Sequence, residues 1–116
     1  MTTLGIDIGT TTISAAVLED EQFLASETRA NGAFIPSVLA CAREQDVEKI
    51  TQTALSVIET LFERYPDIHS IGVTGQMHGI LYVGADGNAV SPLYTWQDAR
   101  GSLPHSRTAN VPIIQG

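Results

Sequence analysis

Residues 4–12 read Leu4-Gly5-Ile6-Asp7-Ile8-Gly9-Thr10-Thr11-Thr12. Leu4 to Ile8 is apolar and β-branched, so it reads as a short buried strand with Asp7 as its exception. Gly9-Thr10-Thr11 is a turn signal. Thr12 to Leu18 then reads as a second strand, Glu19-Asp20-Glu21 as a polar turn and Gln22 to Thr28 as a third strand. Three consecutive strands joined by short turns form an antiparallel meander. Ala30 to Pro36, with Asn31 and Gly32, reads as a loop.

Working outward, the next segment changes period. Val47, Ile50, Ala54, Val57, Ile58, Leu61 and Phe62 recur at steps of three and four, which predicts a helix from Val47 to Arg64 with one apolar face. Asp46 suits its N-cap, and Pro66 stops it just beyond its end. Lys49 and Glu59 fall on the solvated side. Ser70 to Thr74 reads as a strand that Gly75-Gln76-Met77-His78-Gly79 interrupts. Ile80 to Val83 and Val90 to Thr95 read as strands around an Asp86-Gly87 hairpin turn. From Gly101 to Gly116 there is no clear periodicity. A helix between the meander and the next strand returns the chain parallel to the first strand. The expectation is therefore an α/β fold with a mixed sheet in βββαβ order.

The chain has 116 residues, enough for one domain, and a formal net charge of -7. That charge argues against a nucleic-acid partner, which needs a basic face. No apolar run approaches the ~20 residues of a membrane span, and no secretory signal stands at the N-terminus. The single cysteine, Cys41, forms no internal disulfide. A cytoplasmic location is the resulting expectation. Lys49 is the only lysine, so mechanisms that need a positioned lysine have one, poorly placed, candidate.

Three segments carry candidate chemistry. In Asp7-Ile8-Gly9-Thr10-Thr11-Thr12, a buried aspartate is costly unless a metal ion or its waters compensate it. Gly9 admits close approach of a ligand, and the threonine hydroxyls beside turn amides suit a phosphate. Asp7 suits magnesium, which takes one or two carboxylates with waters and phosphate oxygens. The alternative is a hairpin turn whose threonines only satisfy backbone groups. In Gly75-Gln76-Met77-His78-Gly79, Gln76 and His78 can bond the hydroxyls of a polyol while Met77 forms an apolar wall. The alternative is a strand bulge with a solvated or turn-capping His78. In Thr95-Trp96-Gln97-Asp98-Ala99-Arg100, the indole suits the C–H face of a sugar. Taken alone, the segment reads more simply as a core tryptophan with a surface ion pair between Asp98 and Arg100. His69, His78 and Cys41 show no zinc-ligand spacing. Neither Gly-x4-Gly-Lys-Ser/Thr nor Gly-x-Gly-x-x-Gly occurs.

Together these segments resemble the FGGY carbohydrate kinases of the actin-like ATPase superfamily. Gly5-Ile6-Asp7-Ile8-Gly9-Thr10-Thr11 matches that family's first phosphate motif, and Glu44-Gln45-Asp46 the element before its first long helix. Gly75-Gln76-Met77-His78-Gly79 and Thr95-Trp96-Gln97-Asp98-Ala99-Arg100 match its ketose-kinase motifs, with a sedoheptulokinase-like rather than xylulokinase-like glutamine at position 97. The resemblance spans Leu4 to about Arg100. It implies an actin-like (ribonuclease H-like) N-terminal domain that uses ATP and Mg2+ to phosphorylate a small sugar. Asp7 is implied to help place the metal, with Gly9, Thr10 and Thr11 facing the phosphates. Gln76, Met77, His78 and Trp96 are implied to bind the sugar.

In that family the general-base aspartate lies further along the first lobe, and the adenine site lies in a second lobe. Neither has a counterpart in residues 1–116, and Asp98 does not match the base. The expectation is a partial first lobe, inactive by itself, whose exposed sheet face promotes self-association. Two rivals remain: a non-catalytic nucleotide-binding module of the superfamily, and an interaction domain whose motifs are remnants.

Overall fold

In the computed structural model, which describes residues 1–37, 39 and 41–99, the meander forms as the sequence indicates. β1 (Thr2–Ile8) pairs antiparallel with β2 (Thr12–Glu19), which pairs antiparallel with β3 (Gln22–Ala30). β4 (Glu44–Gln45) is a two-residue strand. α1 (Val47–Arg64) follows, then β5 (Ser70–Gly75), parallel to β1. β6 (Leu93–Tyr94) completes the described strands. The main sheet has the order β3-β2-β1-β5. The βββαβ reading is thus correct for this sheet, with strand ends extended by one or two residues.

The chain divides into two compact units. The first comprises 1–32 and 48–76. One face of its sheet carries Leu4, Ile6, Ile13, Ala15 and Val17, all buried, and α1 supplies Ile50, Ala54, Val57 and Leu61 to the same core. Apolar burial of this kind contributes about 25 cal/mol per Å2 and offsets the entropy of ordering the chain. Lys49 and Glu59 are exposed, as predicted. Arg29 of β3 donates to the hydroxyls of Ser56 and Thr60, joining sheet edge to helix. The β2–β3 turn places Asp20 and Glu21 at φ 49° and 72°, the left-handed region that a tight hairpin demands. Ile71 and Val73 of β5 share the face of their partners Leu4 and Ile6, yet are 44% and 68% exposed.

The second unit comprises 33–47 and the residues from Met77 on. Its center is β4 paired with β6, extended by bridges from Gln45 to Phe34 and from Tyr94 to Ile80. The expected strands Ile80–Val83 and Val90–Thr95 are only partly realized. Tyr82 N–H donates to Ser91 Oγ at 3.0 Å rather than to a backbone carbonyl, and Pro92 has no N–H. These two residues break the ladder, leaving one bridge on each side, Val83 to Ala89 and Ile80 to Tyr94. The Asp86-Gly87 turn forms as read, with Gly87 at φ 85° and Gly87 N–H donating to Gly84 O.

Candidate functional site

β1 ends at Ile8, and Gly9 to Thr12 turns the chain into β2. Gly9 N–H donates to Thr12 O at 2.9 Å, so the turn is tight. A Cβ at Gly9 would stand 2.8 Å from that oxygen, a separation that real side chains do not tolerate. Only glycine fits there without moving the backbone. Asp7 lies on the sheet face opposite α1, between Ser14 on β2 and Thr74 on β5. It is exposed, which corrects the sequence-based premise that it is buried. The strand is buried on one face only, and Asp7 falls on the other, so no desolvation cost calls for a metal. With Gly5, Ser14, Ala16, Ser26 and Thr74 it borders a groove of ≈ 540 Å3 on that face.

The main-sheet unit also holds Gln76. Its N–H donates to Ile8 O at 3.1 Å, which ties the residue after β5 to the end of β1. Thr10 Oγ1 donates to Gln76 Oε1 at 3.1 Å. Two motifs separated by more than sixty residues in sequence therefore meet side chain to side chain. Their adjacency follows from the parallel β1–β5 pairing, in which Ile8 is the partner of Gly75.

In the second unit, Met77 and His78 are exposed, and His78 has φ 62°. A left-handed conformation at a non-glycine residue is uncommon and costs energy, and such strain concentrates at functional sites. A Cβ at Gly79 would stand 3.1 Å from Leu93 Cδ1, a tight contact that a small shift of the leucine side chain relieves. Ile80 and Tyr94 exchange both backbone hydrogen bonds, each 2.9 Å. That bridge is isolated: His78 lies in a bend and Trp96 in a turn just beyond it. Trp96 is 56% exposed, so the simpler reading of a core tryptophan is wrong.

Asp98 is 3% exposed, so it is buried rather than on the surface; the alternative reading's ion pair with Arg100 falls outside the described residues. The Asp98 carboxylate accepts Arg43 N–H at 2.8 Å, and Thr95 Oγ1 donates to Arg43 O at 2.9 Å. These bonds lash the Trp96 turn to β4. Gln45 of β4 is 0% exposed at the middle of this small sheet. The Glu44-Gln45-Asp46 motif, the Gly79 end of the glutamine-histidine motif and the Trp96 turn thus share one small sheet.

A family model described as the FGGY family of carbohydrate kinases, N-terminal domain, matches residues 2–107. The chain belongs to the FGGY family of carbohydrate kinases. Among FGGY relatives, the sedoheptulokinase of Mus musculus is 39% identical over 84% of this chain, and the xylulose kinase of Escherichia coli is 28% identical over 97% of it. The chain spans 26% and 24% of those two proteins. The crystal structure of a xylulose kinase from Rhodospirillum rubrum superposes with a TM-score of 0.77 at 22% identity, covering 88% of this chain and 22% of that one, a likeness of fold. The actin-like fold of FGGY kinases thus accounts for the meander, crossover helix and parallel strand.

The segment from Asp7 to Thr12 offers one carboxylate and three threonine hydroxyls, that of Thr10 donating to Gln76 Oε1. That donor set fits a hydrated magnesium ion carrying phosphate oxygens, which needs few protein ligands. Among the described residues, no cluster of three or more His, Cys, Asp or Glu side chains is placed to hold a metal by itself. No described helix is long and apolar enough to cross a membrane. Asn31 is the residue that sequence reading missed: taken for an ordinary loop residue, it is 1% exposed and bonds to the turn.

Proposed function

We propose that these residues form part of the first lobe of an ATP-dependent kinase acting on a ketose or related polyol, with a sedoheptulose-like sugar favored. The observation that carries this reading is the Thr10–Gln76 hydrogen bond, which couples the turn suited to phosphate with the motif suited to sugar hydroxyls. ATP, when bound with Mg2+, supplies the phosphoryl group transferred to a sugar hydroxyl. Asp7 would hold the metal through its waters, and Gly9, Thr10 and Thr11 would orient the phosphates. Gln76 and His78 bond sugar hydroxyls, Met77 gives an apolar contact, and Trp96 packs on the sugar carbons. Catalysis of this kind is mostly positioning and charge neutralization, which suits a site built from turns and strand ends. The single cysteine accords with a reducing compartment, and we place the protein in the cytoplasm.

No residue here takes the role of general base, and the chain spans about a quarter of its relatives. The 116 residues alone are therefore expected to bind without turnover. The purified chain is incubated with MgATP and sedoheptulose, xylulose or glycerol, and ADP is followed. No steady ADP release is the expected result. Steady, ketose-dependent release would overturn the claim that residues outside this chain are needed. Sugar-independent MgATP affinity with no ketose response would instead favor a nucleotide-binding module.

A further inference from the structure

We propose that Asn31 is a positioning residue for the Gly9–Thr12 turn, setting the direction of the amides that face phosphate; this rests on the reading of that turn given above. β3 ends at Ala30, whose partner is Thr12. Asn31 extends that pairing by one step, its N–H donating to Thr11 O at 2.8 Å. Its side chain then reaches across the turn, and Nδ2 donates to Gly9 O at 2.8 Å. One buried residue thus holds two carbonyls of the same turn, while Gly9 N–H is held by Thr12 O.

The consequence follows from peptide geometry. Across a planar trans peptide, the C=O of one residue and the N–H of the next point in opposite directions. Fixing Gly9 O toward Asn31 turns the Thr10 N–H to the far side, and fixing Thr11 O does the same for the Thr12 N–H. Donors aimed in advance at an anion need no reorganization when it arrives, which is how backbone amides stabilize charge most effectively. Asparagine is suited because its carboxamide gives a neutral donor in a buried place. Aspartate has the same shape but would set a carboxylate oxygen against Gly9 O. Gly32, at φ 60°, lets the chain leave the turn immediately after Asn31.

The test uses the 15N-labelled chain and magnesium pyrophosphate as probe, read through the amide shifts of Gly9 to Thr12. Wild type is expected to show saturable shifts there. Asn31→Ala is expected to weaken affinity per folded molecule about tenfold, the effect of one well-placed hydrogen bond, and to move the Thr10 amide signal before any ligand is added. Asn31→Ser keeps a shorter donor, is expected to fall between, and serves where the alanine variant does not fold. Ser56→Ala, which removes an Arg29 partner elsewhere in the unit, is expected to leave affinity unchanged. Wild-type shifts with equal affinity in the Asn31 variants would overturn the role of Asn31 alone. Absence of any response in wild type would overturn the phosphate reading of the turn and this inference with it.

Discussion

Replacing Gly9 with alanine tests the geometry of the turn more sharply than any other single change. The added Cβ would meet Thr12 O at 2.8 Å, where ordinary contact begins near 3.4 Å. Relief by about half an ångström must come from the backbone, because the opposing atom is a carbonyl oxygen. That same oxygen accepts Gly9 N–H, and Gly9 O is held from the other side by Asn31. The turn cannot yield without losing one of these bonds, each worth about 1 kcal/mol net, plus the strain of overpacking, about 1–3 kcal/mol. A destabilization of about 2–4 kcal/mol follows, at roughly 4–8 °C in Tm per kcal/mol for a unit of this size. Gly5→Ala is the control: on β1, which leads into the turn, nothing lies within 4 Å of its added Cβ. There, relieving a strand glycine should be neutral or stabilize by about 0.5–1 kcal/mol. Urea unfolding of both variants gives the comparison. If Gly9→Ala proved as stable as Gly5→Ala, the description of the turn would be wrong.

Four further outcomes are expected. Leu61→Ala, in the core of the main-sheet unit, should cost about 2–5 kcal/mol in urea unfolding, whereas Leu55→Ala on the exposed face of α1 should change little. His78→Gly should relieve the left-handed strain and raise stability by about 1 kcal/mol while abolishing any ketose response; a loss of stability would argue against the strain. The backbone and side-chain N–H groups of Asn88 hold the Asp86 carboxyl below its ordinary 3.8, so its contribution is present above the unfolded pKa and lost as pH falls through the folded value. Carboxyl 13C titration should show Asn88→Ala raising the Asp86 value only part of the way, because the backbone N–H of residue 88, the larger cause, remains. Finally, exposed Ile71 and Val73 on β5, the last strand of the main sheet among the described residues, lead us to expect concentration-dependent association, and a monomeric mass by sedimentation at high concentration would count against it.

What the sequence made legible was whatever one local pattern controls. The three-and-four spacing from Val47 to Phe62, closed by Pro66, gave α1 its observed bounds, and alternation with polar turns gave β1 to β3. Patterns failed where neighbors distant in sequence decide. The ladder from Ile80 to Thr95 fails for a more local reason: Pro92, visible in the sequence, has no N–H to give, and Ser91 Oγ takes the Tyr82 N–H. The exposure of Asp7 depends on α1 covering only one face of the sheet. Trp96 reads as core from its size, yet it stands exposed because Thr95 and Asp98, both buried, hold its turn to Arg43. Asn31 looked like turn punctuation, and its role appears only when β3 brings it beside Gly9. Residue motifs fared better than contacts: the pieces around Gly9, Gln76 and Trp96 were found from sequence, but the Thr10–Gln76 bond needed the β1–β5 register.

The central claim is that this chain carries a formed part of a sugar site, and Trp96, the only tryptophan, reports on it directly. Its fluorescence is titrated with sedoheptulose, xylulose, ribulose and glycerol in protein shown to be folded. The account predicts a saturable change with a ketose, strongest for sedoheptulose and lost in His78→Gly. An unchanged signal with all four sugars would contradict it.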